Sequence, residues 1–325
     1  MKEKRLNKNK EQMINMASFH KISAWEKLKT VQTWKKIILR FFTYLLLISM
    51  AFVYIYPFLF ILTDSVKTLA DLSDFTVKWI PIRGIKIDNY AIAFARLNGK
   101  ITLWNSLYLT TMATFIHVIM GSLIGYGFAR FKFKGSKLFF GLLVLAMIIP
   151  LQIMMIPVFI LYSNVFKWYD TMKPILVPII FGYGLKGGLY IFIFRQFFLN
   201  MPVELEEAAY IDGCGFIRTF FSVILPTSRS AILVVSILSL VFHWNDYLEP
   251  RMYLKSVKVR IMPQELPTLY SMIARTTDEF AVDATMNNQA VASAGAILCL
   301  LPLIILYLFV QKKFVEGIQH TGSKG

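Results

Sequence analysis

Long apolar runs separated by short polar connections limit this chain more than any other feature. Ile37–Thr63, Thr102–Ala129, Leu138–Ser163, Pro174–Phe194, Ser230–Leu248 and Ala290–Val310 each approach or exceed the ~20 residues a helix needs to cross a hydrocarbon core. Within lipid the backbone must satisfy its own hydrogen bonds, which leaves the helix as the natural state of such runs. Composition agrees: 56% of the 325 residues are hydrophobic, 15% are aromatic, and mean hydropathy is +0.56. Soluble domains lie nearer ~45–50% apolar. The expected fold is all-α and polytopic, with six transmembrane helices.

The formal charge of +16 is compatible in principle with nucleic acid. Its placement is not, because the basic residues flank apolar runs, which points to topology and anionic membrane lipid. Residues 1–36 carry Lys2, Lys4, Arg5, Lys8, Lys10, Lys35 and Lys36 among others, so this basic tail is expected in the cytoplasm. Residues 37–101 hold the first span and an outside loop in which Ile85–Tyr90 forms a short extended piece leading into a small helix. Residues 102–311 form the core, and 312–325 are a second cytoplasmic tail with Lys312 and Lys313. The connection bearing Arg130, Lys132, Lys134 and Lys137 has no acid and should also face inward. Glu249 to Gln289 reads as a polar outside loop. The outside loops carry basic residues too, so the bias supports this orientation without being clean. No cleavable signal peptide is evident. Two spans look irregular. Pro150 and Pro157 should kink the third, and Gly182, Gly184, Gly187 and Gly188 around Lys186 mark the fourth as broken or tightly packed.

Asn200 to Pro226, NMPVELEEAAYIDGCGFIRTFFSVILP, is a polar interruption between spans. Pro202 suits a first helical position, and Glu204, Glu206 and Glu207 place negative charge at the positive end of the helix dipole. Leu205, Ala208, Ala209 and Asp212 recur at helical spacing and give one small, smooth face. Gly213 and Gly215 end that helix, and Phe216–Ile224 reads as a second short helix closed by Leu225 and Pro226. The segment is a helix-turn-helix elbow.

Glu207-Ala208-Ala209, then Gly213, then Leu225-Pro226 resembles the loop by which permease subunits of ABC importers couple to their ATPase. The position two before Leu225 is commonly isoleucine in that family and is Val223 here, which keeps its β-branched apolar character. Further stretches are similar to the carbohydrate-uptake, maltose-transport branch. They are Gly125–Phe131, Ile149-Pro150-Leu151-Gln152 with Ile156-Pro157, Phe194–Phe198, Trp244-Asn245-Asp246-Tyr247 and Gln311–Ile318. Together they cover roughly residues 100–325 in order; the longer amino-terminal tail carries no such signal.

The resemblance implies a type I importer permease fold: a half-pore that pairs with a second permease, sits on a dimeric cytoplasmic ATPase, and receives sugar from an extracellular binding protein. ATP binding would draw the two coupling helices together and switch the pore outward, and hydrolysis would reset it. Glu207, Ala208, Ala209, Asp212, Gly213, Leu225 and Pro226 are then the ATPase-coupling residues, with Glu207 meeting a basic group. The bacterial cell membrane is the expected location, with both termini cytoplasmic. ATP and Mg would belong to the partner ATPase, and no cofactor is expected in this chain. Indeed Gly99-Lys100 is followed by Ile101, so no nucleotide-cradling Gly-x-x-x-x-Gly-Lys-Ser/Thr is present.

Candidate substrate contacts are polar groups within spans, which are costly and face protein or a wet cavity. His243, Trp244, Asn245, Asp246 and Tyr247 offer amide, carboxylate and aromatic groups suited to a sugar. They read equally as residues shaping the helix at the outer interface. Lys186 either enters a cavity or a partner contact, or extends its amine to the interface beside a helix break. His117 reads as a core or interface histidine. The scattered histidines and the pair Cys214 and Cys299 lack metal-site spacing and cannot build a disulfide framework. Three rivals stand beside the sugar importer. They are an ABC permease for glycerol phosphate, a polyamine or another small solute; an ion-coupled secondary transporter, which would want paired broken helices in two related halves; and a polytopic enzyme, which lacks a catalytic constellation.

Overall fold

The computed structural model describes residues 31–276 and 289–322. Most of the basic tail and the segment 277–288 therefore lie outside the described residues, as do the side chains beyond Gln311. The described residues form helices joined by turns and irregular loops, without strands.

Helix α1 (Val31–Ser65) carries the first span. Among the described residues, those up to Phe60 and those from Ile61 onward form separate units. In the second unit, α2 (Leu69–Ser73) and α3 (Asp88–Arg96) occupy the connection between the first two spans. The extended piece expected over Ile85–Tyr90 is shorter: the small helix that follows it already begins at Asp88, and 85–87 are irregular. Helix α4 (Gly99–Arg130) is the second span. Its buried face runs through Ser106, Leu109, Ala113, His117, Gly121 and Gly125, a mostly small-residue stripe that lets neighbours approach closely.

The third span is two helices, α5 (Ser136–Ile148) and α6 (Leu151–Ile160). Ile149 sits at φ −66° and ψ 122°, the extended conformation that a following proline imposes. Pro157 does not break α6; irregularity follows instead as a π-turn over Leu161–Val165. The fourth span is also broken, into α7 (Lys173–Ile180) and α8 (Gly187–Leu199). Glycine chemistry causes this break. Gly182 and Gly184 take φ +79° and +135°, and a Cβ on Gly187 would lie 2.7 Å from the Gly182 carbonyl oxygen.

After the elbow, α12 (Arg229–Asn245) is the fifth span. It ends at Asn245 rather than Leu248, because Asp246 turns extended and its Oδ1 accepts the Leu248 amide at 3.0 Å. The loop expected to be merely polar contains α13 (Leu248–Tyr253) and α14 (Met262–Thr276). The sixth span, α15 (Gln289–Gly322), packs on α3, α12 and α14.

By length and composition α1, α4 and α15 can each cross a membrane alone. Two bent pairs, α5 with 152–165 and 216–227 with α12, are long and apolar enough to be either a broken span or a re-entrant loop, and α8 is a shorter apolar helix. Helix α4 is the hub, packed against α7, α8 and α12. Gly125 sets its closest approach: a Cβ there would fall 2.8 Å from Phe194 Cβ and 3.0 Å from the Arg195 nitrogen.

Candidate functional site

The elbow comprises α9 (Glu204–Ile211), α10 (Phe216–Thr219), a π-turn over Phe220–Ile224, and α11 (Leu225–Thr227). Pro202 lies just ahead of the first helical turn rather than within it, and Glu204, Glu206 and Glu207 occupy that turn as expected. A glycine-dependent cap ends α9. The Cys214 N–H donates to the Ala209 carbonyl at 2.9 Å and the Gly213 N–H to that of Tyr210 at 3.0 Å, the paired bonds of a Schellman motif. Gly213 has φ +79° with open space where a Cβ would point, so backbone conformation alone demands glycine there.

The two halves of the elbow have opposite surroundings. Glu207, Ala208, Asp212 and Gly213 are exposed, as are the apolar side chains of Ile211 (86%) and Ile217 (70%). Of the expected smooth face only Ala209 turns inward; Leu205, Ala208 and Asp212 are exposed. In the second half, Phe220 and Ile224 are fully buried in one apolar cluster with Tyr126 of α4, Tyr190, Phe194 and Phe198 of α8, and Ala231 and Val235 of α12. Phe216 stacks on Tyr126, ring centroids 5.6 Å apart. Leu225 is half-buried and Pro226 exposed. The helix runs on through both and closes at Thr227, where it bends by 78° into α12. Leu225-Pro226 therefore lies inside the last turn.

Sequence reasoning passed over the pair that fastens α9. Glu206 Oε1 accepts from Arg130 Nε at 2.5 Å, with side chains 8% and 13% exposed. Arg130 Nη2 donates to the Met201 carbonyl at 2.7 Å. Arg130 ends α4, so one guanidinium clamps both the approach to α9 and its first turn. Glu206 and Glu207 differ in sequence by one position and in role completely: one is tied to the chain's own span, the other faces out.

Of the residues expected along a substrate path, His243 is buried in the bundle beside His117, ring centroids 5.2 Å apart. Trp244 is buried too, and its Nε1 donates to the Cys299 carbonyl at 3.0 Å, which ties α12 to α15. Asn245 is exposed and bonds its own helix at the Val241 carbonyl. Asp246 forms the joint into α13, and Tyr247 is exposed. Lys186 lies on the break in the fourth span, with φ 60° and its amine 5.6 Å from the ring centroid of Phe242, the residue before His243. Among the described residues, no group of three or more His, Cys, Asp or Glu is arranged to hold a metal ion.

Residues 117–320 match the family described as binding-protein-dependent transport system inner membrane component. The chain belongs to this family. It is accordingly a multi-pass membrane permease subunit rather than an enzyme, and the elbow falls within the matched region. Among relatives, the arabinooligosaccharides transport system permease protein AraQ of Bacillus subtilis is 30% identical over 86% of this chain and 94% of its own length. The probable starch degradation products transport system permease protein AmyC of Thermoanaerobacterium thermosulfurigenes is 30% identical over 83% and 91%. The melibiose/raffinose/stachyose import permease protein MelC of Bacillus subtilis is 29% identical over 83% and 91%. A chain from the crystal structure of a bacterial ABC transporter involved in import of the acidic polysaccharide alginate superposes with TM-score 0.72. It is 22% identical and covers 86% of this chain and 98% of that one, so the family's permease fold is the fold found here.

Proposed function

We propose that this permease forms one half of a heterodimeric pore through which a saccharide is imported at the expense of ATP. A second permease supplies the other half. A cytoplasmic ABC ATPase dimer, carrying the ATP and Mg, docks on the elbow, and an extracellular binding protein delivers cargo to the outer mouth. Both termini lie in the cytoplasm. The cargo class is supported by relatives named for arabinooligosaccharide, starch-product and raffinose-type transport.

The observation that carries the coupling role is the division of the elbow. Glu207, Ala208, Asp212 and Gly213 are presented outward, while Phe220 and Ile224 are keyed into the cluster shared by α4, α8 and α12. A close-packed interior transmits displacement instead of absorbing it. A push on α9 therefore reaches three spans at once. Glu207 supplies the charged contact, and Ala208 and Gly213 leave room for a partner surface to approach.

The test is co-purification of the tagged chain from its native membrane. A second permease and an ATPase should be recovered, and Glu207→Ala should reduce the ATPase yield with the chain's own membrane level unchanged. Saccharide-loaded binding protein should stimulate ATP hydrolysis by the reconstituted complex. Recovery of the chain alone, or equal ATPase capture by Glu207→Ala, overturns the coupling assignment.

A further inference from the structure

The two broken spans meet at a cavity of about 400 Å³, within the range of small-ligand sites. Its walls are the α5–α6 joint at Met147 and Pro150, the Gln152 amide, and the Gly182–Gly188 turn with Tyr183 and Lys186. Glycines let this turn close tightly against its neighbours. A Cβ on Gly187 would collide with the Gly182 oxygen, and one on Gly188 would fall 2.7 Å from Met147 Cγ.

The electrostatics of this cavity are one-sided. Lys186 occupies the left-handed region at φ 60°, an uncommon conformation for a residue with a side chain. It forms the N-cap of α8, a helix of 13 residues whose amino end adds its own positive potential. Among the described residues no carboxylate lies within ion-pair distance of the Lys186 amine, whose neighbour is the Phe242 ring. The acids on adjoining elements are engaged or subdued. Asp246 caps Leu248, and burial, then the nearby Asp246, pushes the Glu249 carboxyl up to about 7. The Lys186 side chain is exposed at this face, open to a bound anion, and in transporters with broken spans the half-helix amino ends point at anionic substrate groups.

We propose that this cavity is a cargo subsite for a saccharide bearing an anionic group, with Lys186 as its specificity-determining residue, Gln152 bonding hydroxyls and Tyr183 covering the ring. The proposal rests on the saccharide-import reading.

The test uses the complete complex in proteoliposomes, with the binding protein held constant. Uptake is measured for trigalacturonate (carboxylate), sucrose 6-phosphate (phosphate) and a panel of neutral oligosaccharides. The expected result is uptake of one anionic probe, which identifies the anion, with Lys186→Met losing about tenfold or more, as for a bond to a charged group. Lys186→Arg should restore most of it, and residual neutral uptake should be the same in both variants. Uptake of neutral sugars alone overturns the proposal, as does an equal loss for charged and neutral cargo in Lys186→Met, which would place the amine against an acid of the partner permease. If Lys186→Met fails to assemble, Lys186→Gln is measured in its place under the same criteria. Absence of uptake of every saccharide by the assembled complex refutes the import reading instead.

Discussion

Replacing Glu206 with glutamine separates the two adjacent glutamates of the elbow. The variant keeps the shape of the side chain and removes its charge, leaving Arg130 with two neutral acceptors, the glutamine Oε1 and the Met201 carbonyl. Breaking a buried ion pair from one side costs about 3–5 kcal/mol. With exposures of 8% and 13% water reaches the freed guanidinium, and about 2–3 kcal/mol is the more fitting magnitude. That corresponds to about 30- to 150-fold in the equilibrium for opening α9. Amide hydrogen exchange of the purified complex reads this opening directly. Amides from Ala208 to Gly213 should exchange faster by about that factor in Glu206→Gln, while those of α8 and α12 keep wild-type rates. Glu207→Gln, changed at an exposed position, should leave exchange at α9 within about twofold of wild type when the ATPase is absent. Equal protection of α9 in the two variants would refute the clamp. So would additivity of Arg130→Gln with Glu206→Gln, since a coupled pair shows an interaction energy in a double-mutant cycle.

Other perturbations have equally definite outcomes. Gly213→Val should lose most ATPase capture and Gly213→Asn much less, because φ +79° excludes β-branched residues while asparagine tolerates it; equal capture by both would sink the turn argument. Gly125→Val should lower thermal stability in detergent by about 1–3 kcal/mol of overpacking, since its Cβ meets Phe194 and the Arg195 backbone; an unchanged melting temperature would show that α4 and α8 separate freely. For Glu249 the carboxyl is raised from 4.5 to about 7, so the folded state favours the protonated form. Its stabilising contribution is complete below about pH 4.5 and is lost as pH rises through about 7, following the linkage of proton binding to stability. Glu249→Gln should flatten stability across that window, and an identical slope in the variant would assign it to another group.

Much of this architecture is legible in the chain because its causes are local. Apolar length marks the spans, Ile149-Pro150 marks the break in the third, and the glycines around Lys186 mark the break in the fourth. Gly213 announces the end of α9 for the same reason. What escapes is tertiary. Nothing near Glu206 distinguishes it from Glu207, since its partner Arg130 is 76 positions away. Phe220 and Ile224 read as one apolar face among many until α4, α8 and α12 close around them. Helix α14 was within reach: Met262, Leu266 and Leu269 recur at helical spacing and face α15, but the polar residues between them dominate the composition. Trp244 shows the converse, a residue whose chemistry suits a sugar and whose place is a bond to the sixth span.

One end of the bundle is stitched by side chains that grip backbone. Asp170, in the turn after the third span, receives the amides of Lys255 and Ser256, both at 2.8 Å. Asn105, near the amino end of α4, donates to the carbonyls of Lys258 and Arg260 at 2.8 and 2.9 Å. Three separate stretches of chain are thereby sewn into one hem. Any relative movement of these three stretches must first release four hydrogen bonds to backbone, so this end of the bundle moves as one piece.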